Sequence, residues 1–489
     1  MEDKSCELID LNQIDEIMNA SYIIFGAGMY GNILYSFLKM KRLSKHLTAF
    51  AVSDRKGNPN QIDGIPVKET EKLRSELEES TVLLAIGKTH AQEAISLLQG
   101  YGVRKLYGVT AEIIEVISRE IYNEMRPLPL EQNKIFISCF EGMGYRCSCK
   151  YIAEELIRGN YPVKLVWVVT DENISDLPEC ITRVTAYTSA YYRELYTSKI
   201  CITNSTINLF GIKKEGQYYI NTWHGYGPFK RVQGSWSINR ERLDEIKRIN
   251  ANYDLFLTGS TFYSQVYRDS FLYEGEICEC GAPRNDLLFA EGAGIRDSVC
   301  RQFSIPEGKR IVLYAPTFRT GTKNSFDRYD LDMPAVLEAL SARFHGEFVL
   351  MYRFHHYLHA IAKCQGFYDN GIDATYYPDI QELLVAADVV ITDYSSLMWD
   401  FSLQRRPVFL YQNDEDEYLD DRGFYCPVSQ WPYPKARKKE ELLDIIEHFD
   451  NEKYMRELNE FLKKYGSCDD GNASRKAVEK IMNVIENQA

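Results

Sequence analysis

The stretch Tyr22-Ile-Ile-Phe-Gly-Ala-Gly-Met-Tyr-Gly31 decides the fold class of this chain. Four residues, Tyr22 to Phe25, have the length and apolar character of a buried strand. They run directly into Gly26, Gly28 and Gly31, a G-x-G-x-x-G spacing. Behind the glycines, Tyr30, Ile33, Leu34, Phe37 and Leu38 recur at the period of an amphipathic helix. A second apolar run, Leu47 to Val52, ends at Ser53 and Asp54. Strand, glycine turn, helix, strand and acid in this order read as a dinucleotide-type fold, with the helix N-terminus facing a pyrophosphate. Gly26, Gly28, Gly31 and Asp54 are therefore candidate nucleotide-binding residues. Further strands expected at 81–87 and 103–109 complete a unit of about 100 residues, half of a full dinucleotide domain. A fold kept for packing or regulation stands beside a working nucleotide site.

Outward from this unit, the segment 124–133 carries two prolines and no apolar period, and reads as a linker. Strand and helix then alternate again. Strands are expected at 134–140, 163–171, 199–203, 217–223, 254–258 and 276–280, with a helix near 149–159. The run Gly281-Ala282-Pro283-Arg284 breaks this pattern, and a third α/β unit begins near Lys309. Its strands are expected within 310–318, 346–354, 387–393 and 406–411, its helices at 332–344, 379–387 and 395–405, and two or three helices follow residue 437. Strands rich in Val, Ile and Leu that alternate with helices imply parallel sheets covered on both faces. The expected division is 1–126, 127–300 and 301–489, the last two joined by a hinge around a cleft.

Composition narrows the function classes. The 489 residues carry 57 Lys+Arg against 70 Asp+Glu, a net charge of −13, which argues against nucleic acid as the main partner. The acidic N-terminus lacks the basic and apolar regions of a secretory signal, and no run approaches the ~20 apolar residues of a spanning helix. The expectation is a cytoplasmic chain that meets a membrane peripherally, on its inner face. Twelve cysteines are too dilute for a disulfide scaffold. The pairs Cys147/Cys149 and Cys278/Cys280 have the wrong spacing for zinc, and neither CxxC nor HExxH occurs. Reduced thiols and no metal centre are expected.

Within the third unit, residues 389–400 (VVITDYSSLMWD) place Asp393, Tyr394, Ser395 and Ser396 between a buried strand and a helix. Small hydroxyl residues at a helix start, on the C-terminal edge of a parallel sheet, suit a phosphate; simple N-capping by Asp393 or Ser395 explains them equally well. Arg353, Phe354, His355 and His356 end another strand, with Arg353 and His355 on one face, and Arg319 ends a third. A cation beside an imidazole suits a diphosphate. In the middle unit, Trp223-His224-Gly225 closes a strand with an imidazole in a tight loop, where it could deprotonate a hydroxyl. Only eight histidines occur in the chain, so three at two strand ends is a concentration. Lys230, Arg231, Arg240, Arg242, Lys247 and Arg248, interleaved with Phe229 and Trp236, form a basic stretch that reads either as a solvated helix face or as a surface for anionic polymer or lipid headgroups.

These segments together resemble the CDP-glycerol glycerophosphotransferases that build teichoic acids and related capsules. The strings are FEGMGYRCSCKYIAEELIRG (140–159), NTWHGYGPFKR (221–231), GAPRNDLLF (281–289), YAPTFR (314–319), RFHH (353–356), ITDYSSLMWDFSLQRRPVFLY (391–411), DEYLDDRGFY (416–425) and DDGNASRKAVEKI (469–481). The resemblance implies a GT-B pair of Rossmann-like domains around a cleft, preceded here by a small Rossmann-like domain. It implies transfer of glycerol phosphate or ribitol phosphate from a CDP-alditol to a hydroxyl of a lipid-linked or polymer acceptor, with release of CMP. It makes His224 the base and His355 the second histidine, at the donor phosphates. Arg284, Arg319, Arg353, Asp393, Ser395 and Ser396 become donor-binding positions. No cofactor is firmly implied; Mg²⁺ with the donor diphosphate is left open.

Two departures stand out. His356 replaces the proline of the family's RxHP segment, which leaves the choice between His355 and His356 to register, and Pro432-Tyr433-Pro434 stands where the family has Pro-Gly-Pro. The first 126 residues lie outside this resemblance and look like the small domain attached to nucleotide-sugar N-acyltransferases. A GT-B glycosyltransferase using a nucleotide sugar, and a non-enzymatic nucleotide sensor of capsule assembly, are the competing readings.

Overall fold

The computed structural model describes residues 6–170, 176–205, 212–235, 239–290, 293–319, 328–329, 331–364 and 366–486. The chain forms two compact units, one of residues 1–143, 162–201 and 208–217, the other of 144–161, 202–207 and 218–489.

Eleven strands serve the first unit: β1 (Glu7–Leu8), β2 (Tyr22–Phe25), β3 (Leu47–Val52), β4 (Gln61–Ile62), β5 (Ile65–Glu69), β6 (Thr81–Leu84), β7 (Lys105–Gly108), β8 (Glu131–Ser138), β9 (Lys164–Val169), β10 (Thr182–Thr185) and β11 (Ser198–Thr203). The first seven make a sheet of order β1-β7-β6-β2-β3-β5-β4, parallel except for the β4–β5 hairpin. All residues of β2 and β6 are buried, as expected for central strands covered on both faces. On one face Ile23, Phe25, Ala49, Ala51, Val82 and Leu84 pack with Leu73 and Leu77 and with Ala94 and Leu98 of the helix Lys88–Gly100. The helix Met29–Met40 buries Ile33, Leu34, Phe37 and Leu38 of the expected stripe, while Tyr30, in its first turn, is half-buried.

The expected linker is shorter than its composition suggested. The helix Ala111–Met125 continues through Met125 and β8 starts at Glu131, leaving only 126–130 between them. Amphipathic burial of Ile114, Ile117 and Ile121 carries that helix past the point where loss of apolar period suggested an end. Strands β10, β9 and β8 then lie side by side and parallel, with β11 next to β8. The two sets of strands in this unit are tied through their helices: the Tyr122 and Tyr196 rings meet edge-on at 5.4 Å, and Ser36 Oγ donates to the Tyr187 carbonyl at 2.6 Å.

The second unit holds β12 (Tyr218–Asn221), β13 (Leu255–Leu257), β14 (Glu276–Cys278), β15 (Arg310–Tyr314), β16 (Phe348–Tyr352), β17 (Ile372–Asp373), β18 (Val389–Thr392), β19 (Val408–Tyr411) and β20 (Lys435–Ala436). β12, β13 and β14 are parallel neighbours. The other six form a wholly parallel sheet of order β17-β16-β15-β18-β19-β20. All residues of β18 and β19 are buried. Three helices, Lys439–Glu447, Asn451–Lys464 and Ala473–Glu486, end the chain. The segment that interrupts the strand pattern is a short 3-10 helix, Pro283–Leu288. It is braced rather than loose, because the Asp286 carboxylate accepts from the Ala473 and Ser474 amides at 2.8 and 2.7 Å. None of the twelve cysteines is in a disulfide, and Cys147, Cys149 and Cys280 are buried.

Candidate active site in the second unit

His224 follows β12 through Trp223, whose φ of +50° turns the chain sharply enough to lift the imidazole off the sheet edge. Its Nδ1 lies 2.6 Å from the Asn204 carbonyl oxygen. A carbonyl only accepts, so Nδ1 carries the proton and the Nε2 lone pair is the basic one. Burial lowers the imidazole pKa to about 4, opposed by the Asn204 hydrogen bond and assisted by Arg284 and Lys230. The ring is therefore neutral at pH 7, with an acceptor nitrogen. The same loop approaches the Ser395-Ser396 turn: a Cβ on Gly225 would stand 3.6 Å from Ser396 Oγ. The sequence placed His224 and Ser396 in different segments, and the fold brings their loops together.

The Asp393–Ser396 turn is built by Asp393. Its carboxylate accepts from the Thr317 amide at 2.9 Å, from Thr317 Oγ1 and from Arg319 at 2.9 Å, which ties the end of β18 to the loop after β15. Ser395 Oγ accepts from the Leu397 amide at 3.4 Å, a weak cap, while Ser396 makes no capping bond to the helix Leu397–Ser402. Both serines are partly exposed. That helix is shorter than the 395–405 expected, because the chain turns through Arg405 at a φ of +59° into β19.

The arginines divide into two kinds. Arg284 and Arg319, 6% and 7% exposed, are committed to carboxylates inside the protein. Arg284 pairs with Asp400 at 2.9 Å and lies 5.5 Å over the Tyr226 ring, and Asn285 and Gln381 donate to the same carboxylate at 3.2 and 3.3 Å. Arg319 pairs with Asp414 at 2.7 Å as well as with Asp393, and is stacked over Tyr394 and Tyr418. Burial by itself would lower both guanidinium pKa values; the carboxylates outweigh it and hold them above the ordinary arginine value. Arg353 is different. It lies just beyond the end of β16 rather than on the strand, and its Nη1 donates to the Ala374 and Tyr377 carbonyls at 3.1 and 2.8 Å. Among the described residues no carboxylate is in salt-bridge range of it. Burial and the neighbouring Arg146 charge lower its pKa to about 10. The Asp379 charge opposes that lowering, so Arg353 sits anchored by neutral carbonyls between a second cation and a more distant carboxylate.

His355 is exposed and its ring stacks on Phe318 at 5.1 Å, so it shares the loop region of Arg319 without sharing a strand face with Arg353. The side chains of His356 and Trp236 lie outside the described residues. In the basic stretch, Arg240, Arg242 and Lys247 are exposed and pair with Asp244, Glu245 and Glu274. That arrangement suits a solvated helix face. Tyr433 of the Pro432–Pro434 segment is buried, with its hydroxyl 3.0 Å from Ser402 Oγ.

Several residues of this network escaped the sequence reading. Asp400, Asp414, Asn285 and Gln381 hold the arginines in place. Asp469 is half-buried, with Oδ1 accepting from Ala282 N and Asn285 Nδ2 at 2.9 and 3.2 Å, and desolvation raises its pKa to about 7. On the helix Cys147–Arg158, Lys150 pairs with Asp379 and Glu382 at 2.9 and 3.0 Å, and the Tyr151 hydroxyl donates to Asp379 at 2.7 Å. Asp400 carried a usable signal, since an acid inside the apolar run LMWDF needs a cation or donors where it is buried. Asp414 carried none. The nucleotide-motif residues belong to the first unit, where Gly26, Gly28 and Asp54 line a separate cavity and Gly31 packs beneath the turn.

Residues 121–483 match the family described as CDP-Glycerol:Poly(glycerophosphate) glycerophosphotransferase. The teichoic acid poly(glycerol phosphate) polymerase of Staphylococcus epidermidis is 27% identical over 72% of this chain and 51% of its own length, so the chain spans about half of that relative. The teichoic acid poly(glycerol phosphate) polymerase of Bacillus spizizenii is 26% identical over 73% of this chain and 93% of its own. The teichoic acid glycerol-phosphate transferase of Staphylococcus aureus is 26% identical over 76% and 98%. Among solved structures, the wall teichoic acid polymerase TagF superposes with a TM-score of 0.68 at 25% identity, over 77% of this chain and 94% of that one. With the family match covering most of its length, this chain belongs to the CDP-glycerol:poly(glycerophosphate) glycerophosphotransferase family.

Proposed function

We propose that the chain transfers an alditol phosphate, glycerol phosphate in the first instance, from a CDP-alditol to a hydroxyl of a teichoic-acid-like polymer, releasing CMP. The observation that carries this reading is the neutral His224 imidazole, with its basic Nε2 set by the Asn204 carbonyl, in a loop that adjoins the Ser395-Ser396 turn. In the proposed step the acceptor oxygen forms a bond to the alditol phosphorus as the bond from that phosphorus to the CMP oxygen breaks, and CMP leaves with the electron pair. The acceptor proton passes to His224 Nε2. A diphosphate bound beside the ring stabilises the imidazolium and raises its basicity towards neutral pH.

Arg353, Ser395 and Ser396 would hold the donor diphosphate, with His355 at the same loops. Arg284, Arg319 and Asp393 are held by internal partners, and in this reading they position the loops that carry Ser395 and Ser396. A lipid-linked acceptor and a peripheral place on the membrane surface fit this reading; no helix among the described residues is long and apolar enough to cross a membrane.

The test is CMP release by the purified chain given CDP-glycerol or CDP-ribitol, with and without a lipid-linked glycerol-phosphate acceptor. Acceptor-dependent CMP release is expected, product length separates one addition from many, and the faster donor identifies the alditol. A folded protein that releases no CMP from either donor with a competent acceptor overturns the reading.

A further inference from the structure

The first unit contains a cavity of about 310 Å³ that takes no part in the transfer site, and its lining lies before the residues matched by the family. It opens at the C-terminal ends of β2, β3 and β6. In the sheet order, β2 lies between β3 and β6, so the connections leaving β2 and β6 run to opposite sides. The crevice at such a switch point is where doubly wound sheets receive ligands.

Each glycine of the turn meets a different spatial demand. Gly26 has a φ of +116°, and a Cβ there would come within 2.5 Å of the Ala85 carbonyl oxygen. A Cβ on Gly31 would overlap the Gly26 carbonyl. Gly28, in contrast, would meet nothing within 4 Å, and it lines the cavity. The missing side chain at Gly28 thus leaves room above the turn rather than relieving a clash inside the protein. Gly28 also starts the helix Met29–Met40 with no side-chain cap and no acid in the first turn. The helix Lys88–Gly100 starts in the same way, from Gly87, again with no cap and no first-turn acid, and its His90 lines the same cavity. Two helix starts with amides left for an outside acceptor therefore serve one cavity.

The remaining lining separates by chemistry. Phe25, Val52, Ile86 and Leu97 supply apolar surface for a flat ring. Asp54 and Asn58 stand at the end of β3, where Asp54 accepts the Lys56 amide at 2.8 Å and remains exposed, with further lone pairs for a diol. A carboxylate at that place favours a ribose hydroxyl and opposes a 2′-phosphate.

We propose that this cavity is a second nucleotide site, one that takes a ribonucleoside diphosphate with its 2′-hydroxyl free. The diphosphate lies over Gly28 between the two helix starts, the ribose meets Asp54, and the base lies against the apolar wall.

The experiment is calorimetric titration of the full chain with ADP, GDP, UDP and CDP and with their 2′-deoxy counterparts, on the wild type, Gly28→Asp and Asp54→Ala. Gly28→Asp puts a carboxylate into the open space above the turn, and Asp54→Ala changes an exposed side chain, so the second variant keeps the test valid if the first folds poorly. At least one ribonucleotide should bind, and its affinity should fall roughly tenfold or more in each variant and for its 2′-deoxy form. CMP release by Asp54→Ala should match the wild type. The proposal is overturned if none of the four binds at about 1 mM, or if binding is unchanged in Asp54→Ala. Binding that survives Gly28→Asp but disappears in Ser396→Asp would also overturn it, by placing the nucleotide in the transfer site.

Discussion

The glycine turn of the first unit and the strand-end loops of the second, the two places proposed to hold a phosphorylated ligand, are built by opposite means. Around Gly28 the protein leaves space and amides without side-chain caps, and no arginine lines the cavity. Around Ser395 and Ser396 it supplies charge, yet much of that charge is already satisfied internally: Arg284 by Asp400, and Arg319 by Asp393 and Asp414. A motif arginine in this family fold is therefore not by that fact a ligand arginine. Arg353 is held differently, by the Ala374 and Tyr377 carbonyls, and that difference is the ground for proposing it as a donor ligand.

The largest expected effect tests the base. His224→Ala should reduce acceptor-dependent CMP release by about 10²- to 10⁴-fold while leaving CDP-glycerol affinity, measured by calorimetry, nearly unchanged. If affinity falls in parallel with rate, His224 is a donor-binding residue instead. In the wild type, the acidic limb of kcat/KM should reflect the free imidazole, which burial holds near 4 rather than at 6.5. Below that value Nε2 is protonated and cannot accept, so activity falls as pH drops through it.

The contrast between the arginines breaks or holds next. Arg319→Ala leaves the buried Asp393 without its cation and Asp414 with Arg328 alone, and should destabilise the fold by about 3–5 kcal/mol in denaturant unfolding. Arg353→Ala should leave the melting temperature close to wild type and raise KM for the donor roughly tenfold. Equal losses of stability in the two variants would erase the distinction.

The glycines supply the third test. Gly31→Ala forces a methyl into the Gly26 carbonyl and should cost about 1–3 kcal/mol or more, while Gly28→Ala should stay within about 1 kcal/mol. The last test, read against pH, is at Asp469. Its folded pKa is raised from 3.8 to about 7, so its contribution to stability is full below 3.8 and is lost as pH rises through 7. Asp469→Asn should therefore gain on the wild type in melting temperature between those values and level off above. A constant difference across that range would assign the shift elsewhere.

Local signals were legible where a residue's neighbours in sequence are also its neighbours in space. β2 and β3 begin and end where their apolar runs do, and the stripe on the helix Met29–Met40 is the one its period announced. The linker was misjudged because loss of an apolar period marks the end of a buried face, not the end of a helix. The helix Ala111–Met125 keeps its hydrogen bonds past Ile121, its last fully buried residue. The candidate histidines and serines were visible as polar residues at strand ends, where side chains leave the sheet. Their partners were not: Asp400 stands 116 residues from Arg284, and Asp414 stands 95 from Arg319.

The sequence by itself determined the α/β class, the order of strands and helices, the family and the residues able to act as base or phosphate ligand, because these rest on periodicity, turn chemistry and short motifs. Only the tertiary structure decided which cations are paired with carboxylates and which are held by carbonyls, that the His224 and Ser396 loops adjoin, and that Gly28 faces open space while Gly31 faces backbone. Those outcomes depend on distances between segments far apart in the chain, and burial there changes the sign of an electrostatic contribution in ways that no local pattern of residues encodes.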